Sequence, residues 1–338
     1  MLKLSIVIVN WNVIDLLSSC IDSLKTHLAD MAYEIIVVDN ASIDDSAAVL
    51  REKYSDVIVI ANDSNRGFSK ANNQGFKIAK GEYILILNPD TLIKDDSIQK
   101  MIKVLESDKK IGMVGPRIFD EAGVITPPCR RSNISLGYLF CRHFLLQKIY
   151  YYSVNKAGFL RRKYERKFYK SEPVDCIQGA CMLVRKRDLD NVGFFDETIP
   201  MYLDDRDLCY RFNKAGLTVF FAADAEIIHY CGASMKKSAM AKMYDIVSIQ
   251  AADAFLLKHK TVFYVIAHHL MLCAAAVVLI SIDILLFPIL FFTMRGYILS
   301  IIKKHFYIFL YGLTGKSGNG PFAVPKNDVI NIASKGKR

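Results

Sequence analysis

Four short, largely apolar runs, each closed by an amide or a carboxylate, constrain the fold more than any other feature of the chain. They are Leu4 to Val9, Glu34 to Val38, Val57 to Ile60 and Tyr83 to Leu87. Helical patterns follow them at Val13 to Leu28, Ser42 to Lys53, Ser69 to Lys80 and Asp95 to Ser107. Runs without polar alternation read as strands covered on both faces. Strand–helix units in series predict an α/β class with a doubly wound, mostly parallel sheet. In such sheets ligands collect beyond the carboxyl ends of the strands. Here those ends carry Asn10 and Asn12, Asp39 and Asn40, Asn62, and Asn88-Pro89-Asp90. Asn-Pro-Asp alone is ordinary turn chemistry. Its repetition of Asn and Asp at the same sheet edge points to a site.

The formal net charge of +10 suits an anionic partner, and nucleic acid, anionic lipid and sugar-nucleotide phosphates all satisfy it. Much of the excess lies between Arg130 and Lys170, where Arg130, Arg131, Arg142, Lys148, Lys156, Arg161, Arg162, Lys163, Arg166 and Lys167 interleave with tyrosines and phenylalanines. A membrane surface, a phosphorylated acceptor and a solvated insertion all fit that texture. Thr261 to Met294 is almost wholly apolar, interrupted by His268, His269, Asp283 and Pro288. It exceeds the roughly 20 residues that cross a bilayer. Asp283 and Pro288 keep an interfacial helix or a shallow hairpin in competition with a clean span. A nucleic-acid binder has no use for this tail, so nucleic acid is not expected as a partner.

These textures divide the chain into a domain at 1–240, a membrane-associated helical segment at 241–312 and a polar basic tail at 313–338. The first divides further into a nucleotide-binding half at 1–115, a basic insertion at 120–173 and an acceptor half at 174–240. The eight cysteines show no Cys-x-x-Cys pair, which argues against zinc. The opening LKLSIVIVN has no secretory pattern, so reduced thiols in a cytoplasmic setting are expected.

No Gly-x-Gly-x-x-Gly follows the first strand and no P-loop occurs, so a dinucleotide oxidoreductase or P-loop enzyme would lack its phosphate cradle. A sugar nucleotide needs groups that grip base and ribose, a cation at the diphosphate and a base for the acceptor hydroxyl. SIVIVNWN, EIIVVDNASIDDS, NRGFSKANNQG, GEYILILNPDT, VDCIQGACMLVRK, GFFDE, YLDDRDLCYR and the later His229 with CGAS supply candidates for each. In this order they resemble the motifs of the inverting family 2 glycosyltransferases of the GT-A fold. Bacterial rhamnosyltransferase-like members that build surface polysaccharides are the nearest in look. The resemblance covers Leu4 to Ser234.

The resemblance implies that Asp39 binds the nucleotide base and that Asn10 and Asn12 are first-strand nucleotide contacts, with Asn65, Gly67 and Asn72 following. Asn88-Pro89-Asp90 stands where the family has Asp-x-Asp, which implies that Asp90, beside Asn88, holds Mg²⁺ or Mn²⁺ against the diphosphate, with His229 closing the site. Asn88 departs from the family, and an amide is a weaker cation ligand than a carboxylate. Asp204-Asp205 stands for the usual Glu-Asp, and Asp205 is the expected base, with Asp204 the other candidate. The implied activity is inverting transfer from a nucleoside-diphosphate sugar, rhamnose from dTDP-rhamnose being favoured, to a polyprenyl-diphosphate-linked glycan at the cytoplasmic face of the membrane. The product would be O-antigen, capsule or cell-wall polysaccharide. An inactive, membrane-anchored nucleotide-sugar-binding scaffold is the alternative, and Asn88 is its argument.

Overall fold

A computed structural model describes residues 2–126, 129–147, 149–150, 152, 164–199, 202–230 and 240–314. The CGAS motif at 231–234, much of the basic insertion, including 153–163, and the polar tail from 315 lie outside the described residues. Contacts divide the chain into two units: Met1–Asn133 with Lys163–Ala239, and Ile134–Arg162 with Met240–Val329.

The first unit begins with β1 (Leu4–Asn10), α1 (Ile14–His27), β2 (Tyr33–Asp39), α2 (Ser46–Lys53), β3 (Val57–Ala61), α3 (Phe68–Ile78) and β4 (Tyr83–Leu87). It continues with β5 (Thr91–Ile93), α4 (Ser97–Ser107), β6 (Ile111–Phe119) and β7 (Arg130–Arg131). After α5 (Leu136–His143), which belongs to the second unit, come β8 (Glu172–Pro173), β9 (Cys176–Ile177), β10 (Cys181–Arg185), α6 (Lys186–Val192), α7 (Asp204–Lys214) and β11 (Thr218–His229). Among the described residues nine strands form one sheet, in the path β3-β2-β1-β4-β10-β6-β11-β5 with β8 beside β11, and β7 pairs β9 separately. β1, β2, β3 and β4 are mutually parallel, as are β6 and β11, while β10 runs antiparallel to both β4 and β6.

Register explains the shared edge. Asn10 pairs with Asp39, Asp39 with Ala61, and Ile8 with Leu87, so Asn10, Asp39, Asn62 and Asn88 finish their strands at one end. Every residue of β4 is buried. Its Leu85 and Leu87 join Ile6, Ile8, Leu17 and Ile21 in one core layer, and Ile84 and Ile86 join Val7, Ile36 and Phe76 in the other. Two covered faces are why these runs are continuously apolar.

Gly81 leads into β4 where β1 leaves no room for a side chain. A Cβ there would lie 2.5 Å from the Ser5 nitrogen and 2.6 Å from the Leu4 carbonyl carbon, and both atoms are fixed by the β1 ladder. Gly81→Ala is therefore expected to destabilise by about 1–3 kcal/mol, read as a lowered midpoint in urea denaturation.

The stretch from Val174 to Lys186 reads in the sequence as one strand, but Gln178–Ala180 interrupts it between β9 and β10. The Gly179 N–H donates to a side chain, Asp205 Oδ2 at 3.0 Å, instead of to a neighbouring strand. The seven described cysteines are free thiols.

The second unit comprises α5, α8 (Met240–His259) and α9 (Val262–Thr314). Although helical throughout, α9 doubles back on itself. His269 Nδ1 lies 3.1 Å from the Gly312 carbonyl, 43 residues on, and His305 Nδ1 lies 2.8 Å from Asp283 Oδ2. In a straight helix His269 and Gly312 would be about 65 Å apart. The arms are joined by a buried polar cluster: Asp253 faces His268 Nδ1 at 2.8 Å, His269 Nε2 at 2.9 Å and the Tyr311 hydroxyl at 2.8 Å. His268 Nε2 in turn meets His143 Nε2 of α5 at 2.9 Å. Val262–Leu285 is apolar and long enough to cross a bilayer, with mean hydropathy 2.3.

Candidate active site

Asp39, at the end of β2, is buried and anchors a hydrogen-bonded cluster. Its Oδ1 accepts from Asn10 Nδ2 at 2.9 Å and from the Ser42 hydroxyl at 2.6 Å, and its Oδ2 from the Ser42 N–H at 3.2 Å. Asn12 sits at φ 58°, a left-handed conformation that Asn tolerates, and its Oδ1 accepts from the Ile43 N–H at 2.7 Å. Asn10 Oδ1 is buried without a hydrogen-bond partner. Such an acceptor costs about 1–3 kcal/mol unless a ligand donor reaches it, and a base N–H or ribose hydroxyl has the required chemistry.

A second cluster continues along the edge. Asn65 Oδ1 accepts from Asn40 Nδ2 and from the Gly67 N–H, both at 2.9 Å. Gly67 opens α3 with φ 80°, where a side chain would be strained. Asn62 and Gln74 exchange amide bonds at 2.9 and 2.8 Å, and Asn62 Nδ2 also reaches Asn40 Oδ1 at 3.2 Å. Asn72 stands apart from this network, since its Nδ2 donates to the Phe68 carbonyl within α3 at 3.0 Å. Sequence reading assigned no role to Asn40, Ser42, Asn62 or Gln74. The first and third were visible only as polar strand ends.

His229 comes to the Asn88-Pro89-Asp90 turn from about 140 residues away in the chain. β5 pairs His229 with Thr91, and the Tyr230 N–H donates to the Asp90 carbonyl at 2.9 Å, which brings the end of β11 over the Asn-Pro-Asp turn. His229 Nε2 lies 3.1 Å from Asp90 Oδ1 and 3.4 Å from Asn88 Nδ2. Among the described residues no three His, Cys, Asp or Glu side chains converge as a metal cage. One carboxylate, one imidazole and one amide that can turn its oxygen inward leave positions open for diphosphate oxygens and water. That donor set fits Mg²⁺ or Mn²⁺, which are held by few protein ligands plus substrate phosphates.

α7 begins with Asp204, Asp205 and Asp207, where the helix dipole favours negative charge. Asp207 is structural: its Oδ2 holds Arg211 at 2.8 Å, and Arg211 binds the carbonyls of Val192, Gly193 and Phe194. Asp205 Oδ1 accepts from the Arg206 N–H at 2.8 Å; its Oδ2 accepts from the Gly179 N–H and lies 3.2 Å from Arg131 Nη2. Gly179 packs closely on Asp205: a Cβ there would stand 3.2 Å from that of Asp205, tighter than an ordinary contact. Arg131 was legible only as one member of a basic run, because its contact with Asp205 crosses the fold.

Burial, and next the charge of Asp205, push the Asp204 carboxyl up to about 7 from 3.8. Between those two values the folded state binds more protons than the unfolded, so stability is lost as pH rises through that window. Asp204→Asn should be near neutral for stability at about pH 4 and stabilising by on the order of 2 kcal/mol above about pH 7. Urea denaturation across that range checks it.

A mixed, mostly parallel sheet covered by helices on both faces, with amides and carboxylates gathered at one strand edge, has the architecture of a GT-A-type glycosyltransferase fold. The model for glycosyl transferase family 2 matches residues 5–193, and the chain belongs to that family. The match ends before Asp204, Asp205 and His229. Agl10, the low-salt glycan biosynthesis hexosyltransferase of Haloferax volcanii, is 26% identical over 232 residues, 67% of this chain and 66% of that protein. The N-acetylglucosaminyl-diphospho-decaprenol L-rhamnosyltransferase of Mycobacterium tuberculosis is 25% identical over 210 residues, 58% of this chain and 66% of that protein. The matches thus span just under two thirds of these relatives' lengths. The solved mannosyltransferase PcManGT of Pyrobaculum calidifontis, in complex with GDP-Man and Mn²⁺, shares the fold with a TM-score of 0.52 at 15% identity, covering 93% of this chain and 88% of that one.

Proposed function

We propose that the chain is an inverting, cation-dependent glycosyltransferase that moves a sugar, rhamnose from dTDP-rhamnose, onto a hydroxyl of a polyprenyl-diphosphate-linked glycan in surface polysaccharide synthesis. The observation that carries this reading is the arrival of the sequence-remote His229 at Asn88 and Asp90, at the sheet edge that also holds the Asn10–Asp39 cluster. The rhamnosyltransferase among the relatives supports the sugar and the lipid.

Asp39, Asn10 and Asn12 grip the nucleoside, and Asn65 and Gly67 shape the loop beside it; Asn72 braces the helix that follows. Asn88, Asp90 and His229 hold the divalent cation, which when bound neutralises the leaving diphosphate. Asp205 takes the proton of the acceptor hydroxyl as its oxygen bonds to the anomeric carbon. The bond from that carbon to the donor phosphate oxygen breaks on the opposite face, and the electron pair leaves with the nucleoside diphosphate. Asp204 keeps the charge of the pair adjustable near neutral pH. The second unit, whose Phe263, Leu270 and Leu285 are exposed, rests the enzyme on the cytoplasmic face of the membrane.

Calorimetry of the full chain against dTDP-rhamnose, UDP-glucose, UDP-N-acetylglucosamine and GDP-mannose, with and without Mn²⁺, tests the reading. Mn²⁺-dependent binding of dTDP-rhamnose alone is expected. Binding of another donor corrects the sugar, and binding of none would favour a turn over a cation site at Asn88-Pro89-Asp90.

A further inference from the structure

The first arm of the α9 hairpin turns one face outward and keeps its polar groups on the other. Phe263, Ile266, Leu270, Val277 and Ile284 are each more than half exposed. Their spacing places them within about 60° of one another around the helix, in a stripe roughly 32 Å long. The histidines and the aspartate of this arm lie away from the stripe, and each has a partner inside the unit. His268 and His269 face Asp253 at 2.8 and 2.9 Å, and Asp283 faces His305 at 2.8 Å. The Ser281 hydroxyl donates back to the Val277 carbonyl at 2.9 Å. The stripe thus offers no hydrogen-bonding group to a neighbour, while the groups that lipid would penalise are satisfied internally.

Charge marks both ends of the stripe. Lys258 and Lys260 precede its first turn, and an exposed Lys303, with Lys304 beside it, arrives on the second arm next to the Asp283–His305 contact. Basic residues flanking a membrane segment stay on the cytoplasmic side, so cations at both ends suit a segment whose two ends share one side. Length agrees. Because Asp283 meets His305, the arms turn midway between them, near residue 294, and the helix from Val262 to that point is roughly 48 Å long. To stand across a hydrocarbon core of about 30 Å it would need a tilt of about 50°, outside the roughly 0–40° that crossing helices adopt.

We propose that α9 is a monotopic anchor: its hairpin lies lengthwise in the cytoplasmic leaflet of an anionic bilayer, with the stripe against the acyl chains, Lys303 at the headgroups and no part reaching the opposite face. This rests on the membrane placement in the reading above and specifies its form. Apolar area and cations both contribute to such an anchor, so the chain binds anionic bilayers in preference to neutral ones.

The test floats the full chain on a density gradient with vesicles of phosphatidylcholine, alone or mixed with phosphatidylglycerol. The mixed vesicles should bind it more tightly. Leu270→Glu together with Val277→Glu should weaken vesicle binding by at least about 100-fold. Lys303→Gln should weaken it by about 5-fold on the mixed vesicles and leave binding to the neutral ones unchanged. Unaltered helix content and donor Kd show these variants folded. In an expressing bacterium, Lys303→Cys should react with a membrane-impermeant maleimide in inverted membrane vesicles and not in intact spheroplasts, with the parent chain as the blank.

Labelling of Lys303→Cys from the outer face would make the hairpin a crossing one and overturn the proposal. Vesicle binding unchanged in the double variant would overturn it as well. Self-association that the double variant loses, with no vesicle binding by the wild type, would assign the stripe to a second copy of the chain and overturn the membrane placement too, leaving sugar transfer untouched. Vesicle binding in the expected pattern without binding of any donor would uphold the anchor and overturn the transferase reading alone.

Discussion

Asp205→Asn is expected to lower sugar transfer by about 10²- to 10⁴-fold, the range associated with loss of a general base, while donor affinity in the presence of Mn²⁺ stays at the wild-type value. The substitution preserves shape, and the amide oxygen can still accept from Gly179 or from the Arg206 N–H, so α7 keeps its first turn. What it loses is a group able to take the acceptor proton. Single-turnover transfer, compared with calorimetric donor binding on the same preparation, separates the chemical step from binding. Asp204→Asn should reduce transfer far less and displace the pH dependence instead. In the wild type the rate should rise through about pH 7 as the buried Asp204 gives up its proton. If Asp204→Asn abolishes transfer while Asp205→Asn spares it, the roles within the pair are reversed.

Asp90→Ala should weaken Mn²⁺-dependent donor binding by at least about 100-fold, since loss even of groups that only support metal ligands costs 10- to 100-fold. Asp90 is the one carboxylate in the Asn88, Asp90 and His229 set, and no further acidic residue among the described ones completes a cage there. Chelation of the wild type with EDTA should reproduce the same loss, whereas EDTA should add nothing to Asp90→Ala. Metal-independent donor binding, equal in wild type and variant, would return Asp90 to the turn. Asn88→Asp supplies the opposite sign: a second carboxylate beside His229 should tighten Mn²⁺ and reduce the amount needed for half-maximal binding.

The parallel half of the sheet was legible because buried strands with two covered faces have no choice but to be continuously apolar, and because each ended in Asn or Asp. The gathering of Asn10, Asp39 and Asp90 at one sheet edge was legible for the same reason. β5 was missed because Thr91 to Ile93 is too short to carry a pattern, yet its pairing with β11 is what delivers His229 to Asp90. The break at Gln178–Ala180 was missed because its cause, the Asp205 carboxylate, lies 26 residues away. Arg131 was hidden by its neighbours: in a run of basic residues nothing local marks the one that faces a carboxylate. The hairpin of α9 was one of several topologies open to its apolar run, and the pairing of Asp283 with His305 gives a half-buried acid in that run a partner.

β10 lies between β4 and β6 and runs against both, and the Asn88 N–H donates to the Ala180 carbonyl at the mouth of that pairing. β10 is therefore the direct lateral neighbour of the strand that ends in Asn88-Pro89-Asp90. Stretches that are consecutive in the sequence are thus interdigitated in the sheet. Recombination that joined the first half of one such enzyme to the second half of another would place a foreign strand inside the sheet, with two new seams to satisfy at once. Change in sugar or acceptor preference is accordingly easier by substitution at the strand ends than by exchange of halves, so diversification of this architecture should proceed residue by residue at its rim.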